Sequence, residues 1–132
     1  GTLALMGNRS PYDCKKCGGD TLNEHIDLLL GAYTFDRNIP VFFFTGRDES
    51  CREETIVWLC ENGWTIDNEN TYLVMREEHD NRKDALVKLE MYNEHIRGKY
   101  YVDFVLDDRD QVVEMWRKTL GLTCLQVNYG DF

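Results

Sequence analysis

The chain has 132 residues, with 24 acidic and 15 strongly basic side chains, a formal net charge of −9 and 42% hydrophobic residues. That is enough chain for one core and too many aromatics for wholesale disorder, and no run approaches the ~20 apolar residues of a membrane-spanning helix. The acidic balance excludes a broad surface for coating nucleic acid, but leaves room for a local basic pocket that holds one phosphate.

The opening segment Gly7-Asn8-Arg9-Ser10-Pro11 is glycine-containing and polar, a loop. Residues 21–33 place Leu22, Ile26, Leu29, Leu30 and Tyr33 at helical spacing. After a turn at Asn38-Ile39-Pro40, the short apolar run Val41-Phe42-Phe43-Phe44 predicts a strand buried on both faces. Residues 52–62 predict a helix with Ile56, Val57, Leu59 and Cys60 inward, and Gly63 closes it. Tyr72-Leu73-Val74-Met75 predicts a second strand, followed by a polar stretch. Residues 82–96 predict the longest helix, with Leu86, Leu89, Tyr92 and Ile96 inward and Gly98 as its stop. Residues 101–106 predict a strand, 109–120 a helix through Val112, Val113, Trp116 and Leu120, and 124–127 a last strand. Short apolar strands alternating with helices predict a parallel α/β sheet. Without repeats, low-complexity runs or a linker, residues 1–132 read as one domain.

The five cysteines, Cys14, Cys17, Cys51, Cys60 and Cys124, are odd in number and dispersed, so free thiols in a reducing cytoplasm are expected. Cys14-x-x-Cys17 is half a zinc motif, and no second pair completes it. No basic, apolar, then small-residue leader opens the sequence, which fits a cytoplasmic setting. The histidines have no metal spacing, and Trp58, Trp64 and Trp116 read as core. Neither a P-loop nor a Gly-x-Ser-x-Gly elbow is present.

Ligands of a parallel α/β sheet sit beyond the carboxyl ends of its strands. Asp107-Asp108 follows one such strand. Two adjacent carboxylates suit a hard cation such as Mg²⁺, or else a solvated turn that favours the next helix N-terminus. Thr45-Gly46-Arg47 follows another strand and offers a hydroxyl, a permissive glycine and a guanidinium to a phosphate. The same residues also describe a turn whose threonine caps a helix. Lys88 lies one helical turn beyond Asp84, which serves either a surface ion pair or a cation reaching a phosphate. Arg9 gains a role only if its loop folds over the site.

The order of these motifs resembles the haloacid dehalogenase phosphatase superfamily, whose motifs are Asp-x-Asp-Gly-Thr, Ser/Thr, Lys and an acidic pair. Gly1-Thr2-Leu3-Ala4 is similar to the tail of the first motif, and Thr45, Lys88 and Asp107-Asp108 follow in order. Arg9-Ser10-Pro11-Tyr12-Asp13, Arg82-Lys83-Asp84, the block from Asp107 to Arg117 and Gly130-Asp131-Phe132 resemble, more closely, polynucleotide kinase-phosphatases of the T-even phage type. The resemblance runs over essentially the whole chain.

It implies a three-layer parallel sheet of haloacid dehalogenase-like (Rossmannoid) architecture. It also implies a Mg²⁺-dependent phosphatase acting on 3′-phosphorylated RNA or DNA ends in end repair, in a host cytoplasm if phage-encoded. One family aspartate attacks phosphorus to form an aspartyl-phosphate; a second protonates the leaving oxygen and then activates water. By the resemblance Thr45 holds phosphoryl oxygens, Lys88 stabilises their charge, and Asp108 with Asp107 holds the metal. Arg9 and Arg47 engage the phosphate or strand, and Asp84 positions the basic groups. In the family this domain follows a 5′-kinase domain, which implies that the parent can be bifunctional. The two aspartates, and the central strand carrying them, would precede Gly1, so the 132 residues alone are expected to be nearly inactive. The competing readings are a small-molecule (nucleotide) phosphatase and an inactive fragment serving as a binding module.

Overall fold

The computed structural model describes residues 1–132, which fold as two units: Leu3–Asp80, and Asn81–Phe132 together with Gly1–Thr2. In the first unit β1 (Ala4–Leu5) pairs antiparallel with β2 (Thr21–Leu22). Leu22 therefore leaves the helix expected to include it, and α1 runs over Glu24–Thr34. β3 (Val41–Asp48) pairs in parallel with β4 (Thr71–Arg76), in register from Val41 opposite Thr71 to Thr45 opposite Met75. The register then shifts, so that Asp48 faces Arg76 and Gly46-Arg47 bulge out of the ladder. β3 is thus longer than its apolar run predicts, and Phe42, Phe43 and Phe44 are half-buried rather than enclosed on both faces.

α2 (Arg52–Glu61) buries Thr55, Trp58 and Leu59, while Val57 faces outward. Gly63 has φ +91°, and the N–H of Trp64 returns to the carbonyl of Leu59, which is the expected glycine stop. Trp58, Leu59 and Trp64 join Leu3, Val41, Leu73 and Met75 in the core. Cys51 lies in that core and is joined to Cys14 as a disulfide, their Cα atoms 6.0 Å apart. This corrects the expectation of five free thiols, because only Cys17, Cys60 and Cys124 are free. A partnership spanning 37 residues leaves no mark in local spacing.

In the second unit α3 (Asp84–His95) buries Asp84, Val87, Lys88 and Met91. β5 (Val105–Asp107) pairs in parallel with β6 (Cys124–Gln126). The predicted strand over 101–106 begins late, and Tyr101 is exposed. α4 (Asp110–Glu114) continues into a π-helical turn, Met115–Thr119. Val112, Val113, Met115, Trp116 and Cys124 are buried there, and Tyr92 meets Trp116 edge to face at 6.3 Å. The α/β class and the parallel pairing match the expectation, with the parallel strands arranged as two-stranded pairs.

Candidate active site

The residues singled out from the sequence gather into two sets, one in each unit. In the first unit the set is built on Asp20, whose side chain is 1% exposed. The Asp20 carboxylate accepts from Arg9 Nε at 2.7 Å and Arg9 Nη2 at 2.8 Å, a bidentate pair. Arg47 Nη2 donates to the same carboxylate at 2.7 Å. Two guanidiniums on one carboxylate leave a surplus of one positive charge.

The Asp20 backbone is fixed as well. Trp58 Nε1 donates to its carbonyl at 2.9 Å, and its N–H donates to the Cys17 carbonyl at 2.9 Å. Arg9 is therefore held in place by a buried acid, not waving in a loop. The Asp20 hydrogen bond holds the Arg9 guanidinium in its charged form above the ordinary arginine value, outweighing its burial. Arg47 commits one nitrogen to Asp20, and the bulge in β3 projects it there. Its backbone N–H donates to Thr45 Oγ1 at 3.1 Å, so the hydroxyl of Thr45 keeps its own proton for an incoming oxygen. That is the turn-capping geometry allowed by the sequence, and it leaves the phosphate role open to the same group.

The second unit holds Lys88, Asp84, Asp107 and Asp108. Lys88 Nζ lies 3.2 Å from Asp107 Oδ2 and 3.3 Å from Asp84 Oδ2, with all three side chains at most 10% exposed. Burial pushes the Lys88 ammonium down, but the charges and hydrogen bonds of Asp107 and Asp84 outweigh it and lift it above the lysine range. The i, i+4 pair is therefore interior, not a surface ornament. An ammonium carries three N–H groups, and two carboxylates leave one for another acceptor. Arg109 Nη1 adds a second cation 3.8 Å from Asp84 Oδ2.

Asp107 ends β5 with both carboxylate oxygens engaged. Oδ1 accepts the N–H of Asp108 at 2.9 Å and that of Arg109 at 3.4 Å. Oδ2 accepts from Lys88 Nζ and, at 3.1 Å, from Trp116 Nε1. Asp108 is more open: Thr2 Oγ1 donates to its Oδ1 at 3.1 Å. Gly1 packs against this carboxylate so closely that a Cβ there would lie 1.9 Å from Asp108 Oδ2. The Asp108 carboxylate itself offers oxygen, the donor type a hard cation such as Mg²⁺ takes. Gly130 backs the same turn: its carbonyl accepts the Asp110 N–H at 2.7 Å, and a Cβ on it would meet the Asp108 carbonyl at 1.9 Å. The nearby Cys124 thiol is pushed up to about 11 by burial and by Asp107, so it stays protonated.

Sequence reasoning missed three of these participants. Asp20 sits after Gly18-Gly19, which mark only a turn, and its partners are 11 and 27 residues away. Trp116 is core, as its apolar position predicts, but its indole N–H also serves Asp107. Arg109, one residue of the matching block, reaches Asp84.

The family model for the polynucleotide kinase PNKP phosphatase domain matches residues 1–132. A protein of Autographa californica nuclear polyhedrosis virus, named as a bifunctional polynucleotide kinase/RNA ligase, is 35% identical over 118 residues. The match covers 89% of this chain and 17% of the viral protein. Two solved structures are similar, one of the Pnkp1/Rnl/Hen1 RNA repair complex and one of a Pnkp1/Rnl/Hen1 complex. Each has a TM-score of 0.92 and 42% identity over 100% of this chain, which spans 41% and 44% of those chains. The chain thus covers less than half the length of these relatives.

Proposed function

The chain belongs to the polynucleotide kinase PNKP phosphatase-domain family, haloacid dehalogenase-like phosphatases, and on that premise we propose that it removes the terminal phosphate from polynucleotide 3′-ends in nucleic-acid repair. The observation that carries the reading is the trio Arg9–Asp20–Arg47, which keeps one surplus positive charge at fixed positions in a chain of net charge −9. A dianionic phosphate monoester needs such fixed cations, because groups already held in place cost no reorganisation when charge develops.

The contacts support the following roles. Arg47 has guanidinium N–H groups beyond the one given to Asp20, and these donate to phosphoryl oxygens together with the Thr45 hydroxyl. Lys88, buried and held charged, has a remaining N–H to offer an anionic oxygen. Asp84 and Asp107 position Lys88. Both Asp107 oxygens already accept hydrogen bonds, so Asp107 would act through the lysine, and Asp108 is the carboxylate that would hold Mg²⁺. When bound, Mg²⁺ supplies further neutralisation of the phosphoryl oxygens. Gly1-Thr2 match the close of the family's first motif, and Thr2 donates to Asp108. The attacking aspartate and the general acid-base would lie just ahead of Gly1 in the parent protein, on the strand that would complete a three-layer parallel sheet. The parent would then pair this domain with a 5′-kinase, as the names of its longer relatives suggest.

A phosphatase assay with a 3′-phosphorylated oligonucleotide and Mg²⁺ tests this. A chain extended upstream through the Asp-x-Asp motif should turn over, and the 132-residue chain should not. Activity in the 132-residue chain would remove the assigned nucleophile. Equal kcat/KM for the oligonucleotide and a nucleoside 3′-monophosphate would favour a small-molecule phosphatase instead.

A further inference from the structure

We propose that the Cys14–Cys51 disulfide is a thiol-exchangeable clamp that sets how rigidly Asp20 carries Arg9 and Arg47. Cys14 opens the 3₁₀ stretch Cys14–Gly19, between Arg9 and Asp20 in the chain. Cys51 closes the turn Glu49–Cys51 that follows Arg47 and leads into α2. One bond therefore ties together the two segments that supply the trio. α2 adds a second tie, the hydrogen bond from Trp58 Nε1 to the Asp20 carbonyl. If the sulfur bond opens, the segment bearing Asp20 keeps that tie and the two arginine contacts, and loses the covalent one.

The surroundings give the bond a direction of attack. Cys14 is half-buried and Cys51 is fully buried, so an external thiolate reaches only the Cys14 sulfur. In the opening step the thiolate of a low-molecular-weight thiol bonds to Cys14 Sγ. The Cys14–Cys51 bond breaks, its electron pair goes to Cys51 Sγ, and that sulfur takes up a proton. Ser50 Oγ, 3.6 Å away, can accept the new S–H. A second thiolate then bonds to the small-molecule sulfur of the mixed disulfide and frees Cys14, which is protonated in turn. Overall the protein gains two electrons and two protons, and two small thiols become one small disulfide. Oxidised glutathione drives the reverse.

Asp48 places a carboxylate oxygen within 4.8 Å of both sulfurs, so a soft cation is the competing occupant. The sulfurs are bonded to each other, which leaves neither as a thiolate ligand. That favours the disulfide.

The test equilibrates the intact protein with oxidised glutathione or with dithiothreitol, then alkylates free thiols and maps the peptides by mass spectrometry without reduction. Hydrogen exchange over residues 9–20 and the Tm are measured on both samples. The oxidised sample should show a Cys14–Cys51 linked peptide. Reduction should speed exchange over residues 9–20 about tenfold and lower the Tm by about 10 °C. Cys14→Ser should match the reduced protein under both conditions, and Cys60→Ser should behave as wild type. A Cys14–Cys17 link, both thiols free at every glutathione ratio, or stoichiometric zinc blocking them would each overturn the proposal. So would a link whose reduction leaves exchange unchanged. Any effect on turnover rests on the phosphatase reading. If exchange responds and the oligonucleotide KM does not, the clamp stands and the phosphate role of the arginines falls.

Discussion

Changing Asp20 to Asn keeps the size of the side chain and removes the charge that both arginines address. Arg9 would lose a bidentate partner and Arg47 its anchor, leaving two unpaired guanidiniums in a nearly closed site. Breaking a buried charge cluster from one side costs about 3 kcal/mol, so the Tm of Asp20→Asn should fall. If the arginines bind phosphate, kcat/KM of the chain extended upstream should fall by about 10²-fold, more than unfolding accounts for at 25 °C. Unchanged kinetics with a lower Tm would make Asp20 a structural residue only. Single residues of this kind were the least legible part of the sequence. Thr45, Arg47, Lys88 and the Asp107-Asp108 pair are marked by where they follow a strand or enter a helix. Asp20 is marked by nothing local, because its meaning lies in partners brought together by folding.

At the scale of elements, helices and strands were legible where apolar spacing alone set them, and shifted where polar groups are buried. α3 shows why. A count of apolar residues assigns Leu86, Leu89, Tyr92 and Ile96 to the inner face; Ile96 is buried and Leu89 and Tyr92 are half-buried, yet Leu86 is exposed and Asp84, Val87, Lys88 and Met91 are inside. Two of those four are charged. The helix is rotated to place a lysine between two carboxylates, and a rule that sends charge outward picks the wrong phase. α4 makes a similar concession: its end widens into a π turn at Met115–Thr119, where Trp116 also serves Asp107. The carboxyl-terminal segment is a third such element. Gly130 approaches the Asp108–Arg109 backbone where no side chain fits, and Arg109 Nε donates to the Phe132 carbonyl at 2.8 Å. Gly130→Ala should therefore push this segment away and loosen the turn that carries Asp108. We expect the Tm to fall by several degrees and, in the chain extended upstream, the Mg²⁺ concentration for half-maximal turnover to rise. A Tm within 1 °C of wild type would show that the segment moves freely.

For the whole molecule, the shifted groups bracket a pH window. The hydrogen bond to Arg52 holds Glu49 below the ordinary value of 4.5, and three backbone N–H groups hold Asp67 below 3.8. Depressed carboxyls contribute stability that is present above their unfolded values and lost as pH falls through the folded ones. Lys88 has the opposite sign. It is raised above 10.5, so its contribution is complete below that value and lost as pH rises through the folded one. The Tm should be level between about pH 5 and pH 10 and fall on both sides. Lys88→Met, with a lower Tm throughout, should lose much of the alkaline fall. An alkaline limb of undiminished slope in that variant would show that other groups set it.

The sharing of one carboxylate by Arg9 and Arg47 also governs how a partner can draw near. Two bare guanidiniums would attract any stretch of a polyanion, whereas Asp20 trims them to a single surplus charge in a molecule that is otherwise strongly negative. A strand lying broadside pushes many of its phosphates against like charge, and a strand arriving tip first pushes few. On the proposed function, the acid that orients the two cations would thereby make the molecule discriminate by angle of approach before any chemistry begins.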